Sequence, residues 1–302
     1  MKAEGAVSGR LLLAFLVATL IWGSTWTAIR YQLGVVDPSW SIAFRFAMAA
    51  ILLAGYARWI GAPLRITRRE LPVAAAFGLA QFVLNFQFVY RAEAYITSGF
   101  VAMMFALLII PNAIFGRVLL GHRVGRNFIL GSLLSTLGMA LLFHKEIQDA
   151  ATGGGAALLG IGLTLGGILA ASMGSMVQAS RRADAMHWVT MIVWGMVLGA
   201  IANALLALAT TGLPIVDPRP SYWFAIVYLA LFGSALTFPV YLFMIRQIGP
   251  ARAAYSGVLI PIVAMLFSTL LEGYRWTPSA VAGTVLAVAG LVVALKARKP
   301  AA

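Results

Sequence analysis

Long apolar runs alternate with short polar breaks along the whole chain. Ten runs approach the roughly 20 residues that an α-helix needs to cross a bilayer core. They cover about 11 to 33, 39 to 58, 71 to 90, 95 to 116, 127 to 144, 156 to 179, 188 to 210, 221 to 244, 252 to 271 and 279 to 296. Two of the longer breaks, 145 to 155 and 212 to 220, are rich in Gly or Pro, as turns are. No segment remains that could fold as a soluble domain. Lys2 and Arg10 precede the first run as they would the core of a signal peptide, but Trp22-Gly23-Ser24-Thr25-Trp26 continues it without a small-x-small cleavage site. The first run therefore reads as a span.

Composition agrees with this pattern. Of 302 residues, 62% are hydrophobic and only 10% charged, whereas a soluble fold needs roughly 25% charged residues to cover its surface. A cytosolic enzyme and a disordered chain are excluded. Cysteine is absent, which removes a disulfide framework, a thiolate metal site and a cysteine nucleophile.

A net charge of +13 would suggest nucleic-acid binding in a soluble domain. Here the charge follows the spans. The ends that include the N-terminus, the even-to-odd loops and the C-terminus hold 16 of the 22 basic residues against Glu4, Glu70 and Asp184, a net +13. The opposite ends hold five basic residues and six acids, a net −1, and Arg45 lies within a span. Under the positive-inside rule both termini are expected in the cytoplasm. Nucleic acid drops out as a partner, leaving the lipid bilayer and a small molecule.

An internal similarity recurs at an offset near 151 residues. Trp22-Gly23-Ser24 with Arg30 matches Met173-Gly174-Ser175 with Arg181, and Gly121-x-Arg123 matches Gly273-x-Arg275. Gly131 and Gly138 match Gly283 and Gly290, and Pro111 nearly matches Pro261. Five spans per copy is an odd number, so the second copy enters the membrane in the opposite sense, the inverted-repeat design of secondary transporters. The expectation is an all-α integral membrane protein of ten transmembrane helices in two inverted five-helix repeats, 1–150 and 151–302. Its expected location is the cytoplasmic (inner) membrane.

Trp22-Gly23-Ser24, Pro38 followed by Phe44-Arg45-Phe46, Gly257 to Pro261, Glu272-Gly273 and the paired glycines of spans five and ten together resemble the EamA-type branch of the drug/metabolite transporter superfamily. The resemblance runs from about residue 11 to 296, although Glu272 has only Leu120 as its counterpart in the first repeat. It implies a ten-helix carrier, commonly an exporter of amino acids or other small metabolites. It also implies a central cavity formed by helices 1, 3, 4, 6, 8 and 9, with helices 5 and 10 at the periphery.

Candidate transport residues follow from chemistry that is costly in lipid. Pro111 and Pro261 lack an amide proton and oppose the carbonyls of Leu107 and Gly257, so Pro111, Gly257 and Pro261 are candidate hinges; an ordinary proline kink is the alternative. Gln81 and Asn85, spaced i, i+4 with Phe88 on the same face, and Gln178 are candidate substrate contacts, weighed against interhelical hydrogen bonding. Aromatic candidates are Trp22, Trp26, Phe105, Phe238, Tyr241 and Tyr255, with Phe82 and Phe86 on the third span, also expected to face the cavity; packing and interfacial anchoring are the alternatives. Arg45 is the only charge well inside a span, with Asp37 the nearest acid, and a structural role reached by snorkelling is favoured. Small residues at Gly162, Gly166, Ala170 and Gly174, and in spans five and ten, read as packing seams, the last two also as a surface for a homodimer.

No nucleotide-binding loop, HExxH or intramembrane aspartate pair is present, and no cofactor or metal is expected. The leading reading is an exporter of amino acids, aromatic ones among them, or similar metabolites, working by alternating access. A lipid flippase, a lipid-modifying membrane enzyme and a scaffold are the alternatives. The midplane of every span lacks Asp, Glu and His, so transport is expected to follow the substrate gradient; the alternative is that Glu93 or Glu272 titrates in a closing gate, but both are expected at the outer surface beside Arg91 and Arg275, which would hold them ionised.

Overall fold

A computed structural model describes residues 9–121, 125–142, 144, 155–248 and 256–295. Among them there are helices and no strands. The helices are α1 (Gly9–Arg30), α2 (Pro38–Trp59), α3 (Leu71–Ala92), α4 (Ser98–Leu119), α5 (Arg126–Leu142), α6 (Gly155–Gln178), α7 (Trp188–Thr210), α8 (220–248), α9 (Ser256–Leu271) and α10 (Pro278–Leu295). One further turn, Arg181–Asp184, follows α6. Seven helices, α1 to α4 and α6 to α8, are long and apolar enough to cross a membrane. Arg126–Leu142, Leu259–Leu271 and Pro278–Ala294 are shorter apolar helices.

Local chemistry sets the ends. The Asp37 carboxylate accepts from the Ser39 N–H at 2.8 Å and Pro38 opens α2, so one orphan donor is satisfied and another is absent. The helices preceding Gly121 and Gly273 stop where these residues adopt φ of 71° and 70°, a left-handed conformation that glycine takes without steric cost. The two glycines are 152 positions apart.

The same spacing recurs inside the helices. A π segment runs from Leu79 to Leu84 in α3 and another from Leu231 to Leu236 in α8. A π turn breaks the regular i→i+4 ladder, and other groups take up the freed carbonyls. The Asn203 amide donates to the Phe82 carbonyl at 3.0 Å, and the Trp22 indole donates to that of Gly233 at 3.2 Å.

The main packings join the two halves of the chain: α5 lies on α10, α2 on α7, α1 on α8 and α9, and α6 on α3 and α4. Neither half forms the core alone. A Cβ added at Gly131 would stand 2.7 Å from the Ala294 Cα, and one at Gly138 would stand 2.8 Å from the Ala287 Cα. The small-residue faces of α5 and α10 therefore meet within the chain, and these glycines are not left as a free surface for a second copy. On α6, Gly166 meets the Phe88 ring and Gly174 meets Gln81, while Gly162 faces open space. Large apolar side chains such as Ile51, Val118 and Leu270 are more than 70% exposed around the outside, as expected of surfaces facing lipid rather than water.

Candidate functional site

A cavity of about 480 Å³ lies between the helices. Its wall contains Trp22 and Trp26 of α1, Gln81 and Asn85 of α3, Phe105 of α4, Gln178 of α6, and Phe238 and Tyr241 of α8. Gly257 and Pro261 of α9 also line it. Eight of the nine candidate contacts thus face one space; Tyr255 lies outside the described residues. Pro111 does not line the cavity. A 3-10 turn, Ala106–Leu108, precedes it, and that turn supplies Ala106 and Leu108 to the wall.

The aromatic rings are organised in pairs across helices. Trp22 sits 5.1 Å from Tyr241 and 5.9 Å from Phe238 between ring centroids, joining α1 to α8, and Trp26 sits 4.9 Å from Phe105, joining α1 to α4. Each such pair adds about 0.5–1.5 kcal/mol beyond area burial. Phe88 shares with Gln81 and Asn85 the face turned to α6, where it packs on Gly166, but it does not line the cavity, whereas Phe82 and Phe86 do. Gln87 and Asn203 serve the scaffold: Gln87 donates to Asn203 at 2.7 Å, and Asn203 also donates to the Gly199 carbonyl.

Two elements outside the expected six contribute to the wall: α2 through Arg45 and Phe46, and α7 through Ile192. Arg45 does not snorkel. It is 4% exposed, with its guanidinium carbon 4.7 Å from the Phe86 centroid and 5.1 Å from that of Phe46. A desolvated cation–π contact contributes about 2 kcal/mol. One terminal nitrogen stands 3.5 Å from the Tyr90 hydroxyl, and Nε has no partner. Asp37 is committed to its helix cap. The ion pairs among the described residues are Arg30–Glu272 and Arg219–Asp217, so no described carboxylate pairs with Arg45.

One end of the cavity is tied shut. Arg30 at the end of α1 donates to the backbone carbonyls of Glu93 and Ile96, and its Nε lies 3.8 Å from the Glu272 carboxylate. That carboxylate also accepts from the Ser98 N–H at 3.0 Å and from the Ser98 hydroxyl. The ends of α1, α3, α4 and α9 are thereby joined. Cavity residues near the tie, Ile29, Val89 and Ala102, are buried, whereas Gln178 and Gly257 are exposed. Among the described residues, the exposed part of the wall thus lies away from Arg30.

The carboxylates of Glu93 and Glu272 are not arranged as the sequence suggested. Glu272 pairs with Arg30, not Arg275, because α9 delivers it to the end of α1. Glu93 is 0% exposed and neither of its carboxyl oxygens has a hydrogen-bond partner. Arg91 turns back to Gln87 instead. Burial pushes the Glu93 carboxyl well above the ordinary carboxylate range; the nearby Glu272 adds to this, while Arg30 and Arg45 oppose it.

An aromatic-lined cavity thus lies inside a bundle of long apolar helices, the build of a multi-pass membrane protein. Residues 9–144 and 158–296 each match the EamA-like transporter family, and the chain belongs to it. Relatives include the uncharacterized inner membrane transporter YedA of Escherichia coli K12, 28% identical over 84% of this chain and 80% of that one. An uncharacterized transporter of Archaeoglobus fulgidus is 24% identical over 92% and 95% of the two chains, respectively. A probable amino-acid metabolite efflux pump of Salmonella typhimurium is 22% identical over 92% of each. A solved crystal structure, 21% identical, shares the fold with a TM-score of 0.66 over 94% of this chain and 96% of that chain. The protein is a multi-pass membrane protein of a transporter family.

Proposed function

We propose that the chain is a secondary carrier of the inner membrane that exports small metabolites, amino acids among them, by alternating access through the central cavity. In this reading ten helices span the membrane as two inverted five-helix repeats with both termini in the cytoplasm. The observation that carries it is a 480 Å³ aromatic-lined space, tied by Arg30 and Glu272 on one side and with exposed wall residues, Gln178 and Gly257, away from that tie. Its volume lies within the ~300–1,000 Å³ of ordinary small-molecule sites. The paired π segments, the two stretches matched to the family and the swapped packing of the halves support the repeat. The amino-acid efflux named for the Salmonella relative supports the substrate class.

Among the described residues no Asp, Glu or His lines the cavity, which supports transport down the substrate gradient. Pro261 and Gly257 would allow α9 to bend and release Glu272 from Arg30. Purified protein in liposomes loaded with labelled amino acids should give saturable efflux. Efflux no faster than from empty-membrane controls, across a broad panel, overturns the proposal.

A further inference from the structure

Arg45 poses a problem that packing alone does not solve. A guanidinium brings its charge into the wall of an apolar cavity, and an unpaired buried charge is costly. Cation–π contact with Phe46 and Phe86 offsets part of this, but rings supply no hydrogen-bond acceptor. The Tyr90 hydroxyl does not neutralise the charge; it donates to the Gln32 side-chain oxygen at 2.7 Å, and its distance from Arg45 is at the limit of a hydrogen bond. Glu93 acts on Arg45 only at a distance, with no ion pair between them. A planar fork of N–H donors is therefore fixed by stacking beside the cavity with no described carboxylate bound to it.

We propose that Arg45 is the recognition site for the carboxylate of the transported solute. The solute would be a monocarboxylate on an apolar or aromatic body, the carboxylate meeting the guanidinium and the body lying among Trp22, Trp26, Phe105 and Phe238. An ammonium group is not required, because no acid among the described residues lines the cavity to receive one. The Asn85 side-chain oxygen, buried and without a partner in the same wall, is the acceptor left for an amino or hydroxyl proton. This inference rests on the carrier reading only for the identity of the bound molecule as cargo. The site itself makes a separate prediction about binding.

The test uses purified full-length protein and four probes: L-phenylalanine, 3-phenylpropionate, phenylalaninamide and phenethylamine. Binding is read from tryptophan fluorescence, since Trp22 and Trp26 are in the wall, and independently by thermal stabilisation. The two carboxylates should bind at least about tenfold more tightly than the two probes lacking one, the size of one hydrogen bond to a charged group. Arg45→Gln should abolish that preference and Arg45→Lys should restore part of it. The wild-type comparison stands even where a variant fails to fold. Equal or tighter binding of the amide or amine, no binding of either carboxylate at millimolar concentration, or an unchanged preference in folded Arg45→Gln would each overturn the assignment. Carboxylate binding without flux in liposomes would remove the carrier reading and leave this site. Flux of a carboxylate-free solute that ignores Arg45 would do the reverse.

Discussion

Arg30 and Glu272 approach to 3.8 Å although 242 positions separate them, and this pair joins the end of α1 to the end of α9. Because the Arg30 side chain is 41% exposed, solvent screening limits the pair to about 1 kcal/mol or less. Glu272→Gln should shift the closed end toward opening by up to about fivefold. The absence of cysteine allows a clean readout. Ala102→Cys, buried in the cavity wall just inside the tie, should react with an impermeant thiol reagent several times faster when Glu272→Gln is also present. An unchanged rate would mean that the pair does not hold this end.

Glu93 sets the expected dependence on pH. Its folded-state carboxyl is raised well above the ordinary value, so above the ordinary carboxylate range the folded protein binds a proton that the unfolded chain has released. Stability then falls as pH rises from that range through the raised value. Glu93→Gln should flatten this slope and raise the melting temperature at neutral pH. A variant with the wild-type slope would place the titration elsewhere. The same variant tests the gradient-driven reading: wild-type uptake against a gradient under an imposed pH difference, lost in Glu93→Gln, would show that this carboxyl couples a proton to transport.

The contact between α5 and α10 should be the least tolerant of added bulk. Gly138→Leu would force a side chain into the α10 backbone, where even a Cβ lies 2.7 Å from the Gly283 carbonyl oxygen. Overpacking of this kind costs about 3 kcal/mol or more, since backbone must move. Gly162→Leu, with nothing within 4 Å of its added Cβ, should leave folding unchanged. Size-exclusion profiles and melting temperatures of the two variants separate these outcomes.

Asn203 should matter to the fold rather than to selectivity. Asn203→Leu leaves the Phe82 carbonyl without its donor and Gln87 without its 2.7 Å acceptor. In a membrane interior such interhelical bonds contribute about 0.6–2 kcal/mol each. The melting temperature should fall while the order of preference among bound solutes stays the same; a changed order would bring Asn203 into the site.

Much of this arrangement was legible in the apolar pattern. Run lengths marked the helices, and the spacing of Trp22 and Trp26, and of Gln81 and Asn85, brought their side chains to one cavity. The π segment in α8 is followed by Pro239, which lacks the N–H that would bond the Ala235 carbonyl, but Leu79–Leu84 contains no proline; its freed Phe82 carbonyl is taken by Asn203, a residue 121 positions away. Arg45 was visible as a lone charge. Its direction was not, because the rings of Phe46 and Phe86 fix it. Glu93 looked solvated beside Arg91, yet the folded ends of α1 and α9 cover it, a contact of high sequence separation that no local pattern carries.

In the proposed carrier, solute passes through the aromatic-lined cavity. Ala171 on α6 is 4% exposed and lines that space, so Ala171→Trp would fill part of it while leaving the Arg30–Glu272 tie untouched. The decisive measurement is counterflow of labelled phenylalanine and phenylpropionate in liposomes containing either protein at matched folded content. Saturable counterflow is expected with the wild type, and a fall to the empty-liposome rate with Ala171→Trp. Equal counterflow by the two proteins would contradict it.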